Sequence, residues 1–277
     1  MHVVFREAQG LEETEIPMDL GQTPADLVVL SFSDSDLGAF CEGWKKEREG
    51  LPSLRLANLV ALKHPLSVDT YIDQTLSGAK GILIRLIGGV QYWEYGLNQV
   101  YQLAQEKGIA LAVLPADGRE DTRLDEYSTI PKSTLQRLKK LTDTGGSKAA
   151  AAALAQLAIA AGLYAAPIIG DKSLPEVGYW SLERGVVSKF VSSKNNQVVS
   201  IIFYRSFLAS EDMAAVERLS DAFVLLGYQV VGIFSPTLKN PKYGLWVQKA
   251  IEDLQPVAVI NATSFSSKGA NGCLLYT

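Results

Sequence analysis

The chain has 277 residues, 47% of them hydrophobic and 20% charged, with a formal net charge of -4. That balance is typical of a soluble globular protein with room for a real core, and it excludes a disordered or fibrous chain. It gives no electrostatic reason to expect nucleic acid or an anionic membrane as partner. The two distant cysteines, Cys41 and Cys273, fit neither a disulfide framework nor a metal-ligand spacing, so a reducing cytoplasm is the expected setting.

The opening "MHVVFREAQGLEETEIPMDL" carries acidic residues where a signal peptide needs an apolar core, and residues 1–24 read as an N-terminal segment. The following residues alternate between strand-like and helix-like stretches. "DLVVLSF" (26–32) predicts a strand. "DSDLGAFCEGWKKER" (34–48) predicts a helix with aspartates in its first turn. "LRLANLVAL" (54–62) reads as a second strand, and "SVDTYIDQTLSG" (67–78) as a helix with Ser67 as N-cap and Gly78 as stop. "GILIRLI" (81–87), "YGLNQVYQLAQEKG" (95–108) and "IALAVLP" (109–115) give strand, helix and strand. Strands that are apolar throughout, alternating with helices, indicate a parallel sheet covered on both faces.

Two helices are expected next, at 131–143 and 147–163, divided by the breaker "TGGS". The second opens the most apolar stretch, "AAAAALAQLAIAAGLYAAPIIG" (149–170). Its alanine content favours a buried helix over a membrane span. Residues 166–195 read as a connection rich in Pro, Gly, Ser and Asn, with short extended pieces. The alternation then restarts with strand 198–204, helix 210–227 opened by Ser210, strand 229–235, helix 242–255 and strand 257–263. The predicted fold is therefore α/β, with two consecutive Rossmann-like parallel-sheet units over 25–165 and 196–277. No covering helix follows the last strand, so the second unit is expected to be incomplete.

Several chemistries lack their signatures. There is no GxxxxGK[ST], no GxSxG and no GxGxxG, and the two histidines, His2 and His64, belong to no metal-ligand cluster. His64, before Pro65, reads as a turn residue. The candidates that remain lie at carboxyl ends of strands, where open α/β sheets bind ligands. Arg85 interrupts an apolar strand, so it must meet an acid (Asp34, Asp36 or Asp117), a carbonyl or a ligand. Gly88 and Gly89 allow close approach to backbone. Tyr92, Trp93 and Tyr95 either stack on a planar ligand or begin a helix that packs on the sheet. Tyr204, Arg205 and Asn261 are the corresponding polar residues of the second unit.

Several strings are more specific: "ADLVVLSFSDSDLGAF", "LPSLRLANL", "HPLSVDTYIDQTLSGAKGILIRLIGGVQYWEYGL", "GIALAVLPADGREDTRLDEYSTIP", "KSLPEVGYW", "FYRSFLASED" and "INATSFS". Together, over residues 25–266, they resemble the amino-terminal part of the large subunits of aerobic cobaltochelatases, a family that includes the magnesium chelatase large subunit. The resemblance implies a subunit that binds cobalt and the corrinoid hydrogenobyrinic acid a,c-diamide as substrates of cytoplasmic cobalamin biosynthesis. It also implies two partner subunits, one an AAA+ motor, that hydrolyse ATP. Large subunits of this family are several times longer, and their metal-handling residues lie beyond the matched part, so no catalytic residue is carried over. "KGANGCLLYT" departs from the family pattern. Two roles stay open: a corrinoid-holding crevice at Arg85, Gly88, Gly89, Tyr92, Trp93, Tyr204, Arg205 and Asn261, or a scaffold that docks partners. A magnesium-type subunit acting on protoporphyrin is the remaining alternative.

Overall fold

The computed structural model describes residues 16–116, 121–170, 174–190 and 197–263. The chain divides into two compact units between Leu174 and Pro175. The first holds β1 (Leu27–Ser31), α1 (Asp34–Lys46), β2 (Leu54–Asn58), α2 (Pro65–Gln74), β3 (Gly81–Leu86), α3 (Glu94–Lys107), β4 (Ala110–Pro115), α4 (Lys132–Thr144) and α5 (Ser147–Ala160). Its four strands are parallel, in the order β2-β1-β3-β4.

Every residue of β1, β3 and β4 is buried, because both faces of the sheet are covered. Val28, Leu30, Ile82 and Ile84 pack with α2 and α3 on one side. Leu27, Val29, Leu83 and Ala112 pack with α1, α4 and α5 on the other. The alanine-rich stretch forms α5 in this second layer, with most of its length buried. Small side chains let it approach α1 closely: a Cβ on Gly43 would lie 2.3 Å from the carbonyl oxygen of Ser147.

Some boundaries moved. The second predicted strand ends at Asn58, and Leu59–Leu62 form a 3-10 turn started by the Asn58 side chain, which accepts from Val60 N. The helix expected at 67 begins at Pro65. Its N-cap is His64, whose Nδ1 accepts from Leu66 N at 3.1 Å; Pro65 suits the first helical position because it has no N–H to satisfy. Ser67 is buried and accepts instead from Met18 N at 2.7 Å.

The second unit contains β5 (Gly178–Ser181), β6 (Gly185–Val187), β7 (Val198–Tyr204), α6 (Arg205–Ser210), α7 (Ala214–Leu225), β8 (Gln229–Ser235), α8 (Pro241–Leu254) and β9 (Ala258–Asn261). The sheet order is β6-β5-β8-β7-β9, with β8, β7 and β9 parallel. The β5–β6 hairpin lies within the stretch read as a connection, and it adds antiparallel to β8, making this sheet mixed. Ile201, Phe203 and Phe234 pack with Met213 and Val216 of the α7 region, while Ile202 and Ile233 pack with Val247 and Ala250 of α8.

Ser210 does not begin a helix as expected. It ends α6, donating its hydroxyl back to Ser206 O at 2.8 Å, and Glu211 then turns left-handed with φ 56° before α7 starts. Hydroxyl back-bonding of this kind competes with helix continuation. None of the helices among the described residues is long and apolar enough to cross a membrane.

Candidate functional site

Both units share one topological feature. In each, the first parallel strand lies between the second and the third, β2-β1-β3 in one and β8-β7-β9 in the other. Successive connections therefore leave the first strand in opposite directions. This creates a crevice at the carboxyl ends of β1 and β3, and of β7 and β9, the usual ligand position in open α/β sheets.

In the first unit that position is sealed. Ser31 ends β1 and lies in register with Arg85 near the end of β3. Arg85 is only 5% exposed and points to the α1–α4 side. Its Nε sits 3.4 Å from Asp36 Oδ2, an ion pair without good hydrogen-bond geometry, and its Nη1 donates to Thr142 O at 3.3 Å. Asp36 occupies the first turn of α1, which Ser33 caps by accepting from Asp36 N. Ser31 Oγ donates to the same Asp36 oxygen at 3.1 Å. Burial pushes the Asp36 carboxyl above its ordinary value, against the pull of Arg85 and the Ser31 hydrogen bond; Asp143 adds to the upward shift. Of the three acids considered from sequence, Asp36 pairs with Arg85, and Asp117 lies outside the described residues.

Beyond Arg85 the chain turns at Gly88 and Gly89, with φ 83° and 84°, a region that only glycine enters readily. The Tyr92 ring lies against Gly88, where a Cβ would meet it at 2.3 Å, yet Tyr92 remains 50% exposed. Trp93 differs from the crevice expectation. It is 5% exposed, donates Nε1 to Leu62 O at 2.7 Å, and its ring fills the space above Gly96. A large aromatic flanked by helix packing gains more by burial than by waiting for a ligand. Tyr95 is 42% exposed and donates to Asp69 Oδ1. Of the three aromatics, Tyr92 presents the free face.

Sequence reasoning missed the cation on this edge. Arg123 follows β4 and is held by Asp121 through two N–H donors at 2.9 and 2.8 Å. The pair borders Gly89, whose Cβ would lie 2.8 Å from Asp121 Oδ2 and 3.4 Å from Arg123 Nη2. The only sequence signal was the charged string "REDTRLDEY", which has no period and does not reveal which loop it faces.

In the second unit Tyr204 closes β7, half-buried. Burial raises its phenol pKa, and the nearby Thr263 side chain partly opposes the rise. Asn261, exposed at the end of β9, accepts from Thr263 N at 3.0 Å and Thr263 Oγ1 at 2.6 Å. Arg205 opens α6 and donates Nε to Pro175 O at 3.0 Å. Burial lowers its pKa, while Glu176 and Tyr243 hold it up. Glu176 in turn accepts from Tyr243 and lies 3.3 Å from Lys242 Nζ, which keeps its carboxyl below the ordinary range. Glu176, Lys242 and Tyr243 were not anticipated, since they join Arg205 from stretches distant in sequence. Among the described residues no group of three or more His, Cys, Asp and Glu could hold a metal ion.

Comparison with known proteins matches this arrangement to one family. The aerobic cobaltochelatase subunit CobN of Sinorhizobium sp is 33% identical over 292 aligned positions, covering 98% of this chain and 22% of that protein. CobN of Pseudomonas aeruginosa is 28% identical over 277 positions, covering 96% and 22%. A solved structure, the catalytic subunit of cobaltochelatase from Mycobacterium tuberculosis, shares the fold with a TM-score of 0.64 at 19% identity, over 88% of this chain and 18% of that one. No family model matches. The chain thus spans about a fifth of the length of the curated relatives. Along nearly its whole length the chain is similar to the aerobic cobaltochelatase large subunit, CobN, as a counterpart of that subunit's amino-terminal part.

Proposed function

We propose that the chain forms the amino-terminal head of a cobaltochelatase large subunit, in a complex that inserts cobalt into hydrogenobyrinic acid a,c-diamide during cytoplasmic cobalamin biosynthesis. Cobalt and the corrinoid are the substrates in this reading, and ATP is hydrolysed by two partner subunits, one of them an AAA+ motor. The observation that carries it is the 33% identity extending over 98% of the chain. The exposed Tyr92 ring and Arg123 guanidinium at this strand-end edge support a substrate-facing role for the head, because an aromatic face and a guanidinium suit a flat ring with polar arms.

A chimaera tests the assignment. The matching segment of Sinorhizobium CobN is replaced by this chain, and cobalt insertion is followed with both partner subunits and ATP. Retained insertion is expected, whereas a folded, assembled chimaera that inserts no cobalt would sink it. The chain by itself is expected to yield no cobalt product under the same conditions.

One observation favours a second reading, a scaffold that docks partner subunits. Arg85, Asp36 and Trp93 are committed to internal packing, which leaves the first crevice closed. Pull-down of the two partner subunits by the chain alone, undiminished in an Arg123→Ala, Tyr92→Ala variant, is the result that reading predicts.

A further inference from the structure

The first unit contains a cavity of about 200 Å³ that none of the sequence-derived candidates lines. It opens at the carboxyl end of β4, between the 3-10 turn Thr122–Tyr127 and α4. Leu114 and Leu135 supply apolar lining, and Thr122, Asp125, Lys132 and Gln136 supply polar groups. Two further lining charges are already matched: Asp121 by Arg123, and Lys139 by Asp143 at 2.8 Å.

What remains is balanced. Asp125 and Lys132 contribute one charge of each sign, Gln136 offers both a donor and an acceptor, and the Thr122 hydroxyl can act as either. A phosphate or dicarboxylate would need an excess of cations, and this lining has none. A primary carboxamide is neutral, donates twice and accepts at its oxygen, and therefore fits the balance. The volume admits a short arm and excludes a large ring; drug-sized ligands occupy roughly 300–1,000 Å³.

The cavity borders the edge described above. Asp121, on its wall, borders Gly89, and Gly88 lies under the Tyr92 ring. We infer that the cavity takes a carboxamide arm of a larger flat ligand lying over the exposed Tyr92 ring and the Arg123 guanidinium. This rests on the corrinoid reading for the identity of the ring, but the arm site rests on the cavity itself.

The test uses the full chain and two probes: propionamide, followed by saturation-transfer NMR, and dicyanocobinamide, a corrin with carboxamide arms, followed by absorbance in equilibrium dialysis. Both are expected to bind and to compete. An Asp125→Ala, Gln136→Leu variant should weaken both by at least about tenfold, the scale of losing a hydrogen bond to a charged group. Circular dichroism checks that the variant is folded, and Gln136 and Asp125 are both exposed, so it should be. If propionamide binds at the cavity and cobinamide does not, the arm site stands and the corrinoid reading of the head falls. If cobinamide binds but ignores both propionamide and the variant, the inference is overturned while the reading survives. Binding of neither probe, or of inorganic phosphate in their place, also overturns the inference.

Discussion

The two crevices arise from the same strand order but are filled in opposite ways. After β1 the chain reads "SFSDSD", which places Asp36 in the first turn of α1, one layer away from Arg85. After β7 it reads "YRSFLAS", which contains no acid. Arg85 therefore becomes an internal ion pair that seals the sheet end. Arg205 takes a backbone carbonyl and stays half-buried within reach of the Glu176, Lys242 and Tyr243 group. A cation at the end of a parallel strand does not mark a ligand site by itself. Whether the next helix supplies an acid decides its fate.

The largest test of this contrast is to break the sealed pair. Asp36→Leu alone leaves Arg85 buried against an apolar side chain, removes the acceptor of the Ser31 hydroxyl, and should cost about 3–5 kcal/mol in denaturant unfolding. Replacing both partners, Asp36→Leu with Arg85→Met, should leave stability within about 1 kcal/mol of wild type or raise it, because the desolvation cost of both ions disappears. If the double variant is as damaged as Asp36→Leu alone, the pair is not simply a closed internal contact.

The Asp36 shift also has a sign in pH. Its folded pKa lies above the ordinary 3.8, so the native state binds its proton more readily than the unfolded chain. The stability this group contributes is fully present below 3.8 and is lost as pH rises through the folded value. The stability advantage of wild type over Asp36→Asn should therefore shrink from acid toward neutral pH, and an advantage that grows with pH would contradict the burial argument.

Trp93→Ala should cost about 3–5 kcal/mol, as expected for a buried aromatic, while Tyr92→Ala should stay within about 0.5 kcal/mol. The pair of values separates the interior aromatic from the exposed one. Gly89→Ala forces a side chain into a glycine-only conformation beside Asp121 and should cost about 1–3 kcal/mol. In the second unit Arg205→Ala should cost only about 1–2 kcal/mol, the scale of one charge-assisted hydrogen bond. The smallest effect belongs to Glu176→Gln. Both Glu176 and Lys242 are largely exposed, so solvent screening holds the change to about 0.5 kcal/mol or less.

Much of the layout was legible before the structure. Strands apolar at every position, as in "GILIRLI", can only be buried on both faces, and the alternation with helices then fixes a parallel sheet. "VVSIIFY" and "QVVGIFS" are strands at the expected residues. The β5–β6 hairpin was not legible, because its strands are four and three residues long and gain their identity only by pairing with β8. The break at Ser210 was hidden too, since its hydroxyl could cap a following helix or bond back into a preceding one. At the candidate site, Gly88 and Gly89 announced a turn, but the cavity beside them is built from 114–139, where charged residues have no period to reveal their facing.

The sequence by itself determined the α/β class and the strings that mark the family, since both depend on local pattern and residue identity. It also determined that Arg85 needed a partner, because an unpaired buried cation is too costly. Only the tertiary structure decided that Asp36 pairs with it, that Trp93 is core while Tyr92 is surface, and that Arg123 and a small polar cavity border Gly89. Those outcomes depend on which residues distant in the chain arrive at the same place, and neither propensity nor spacing encodes that.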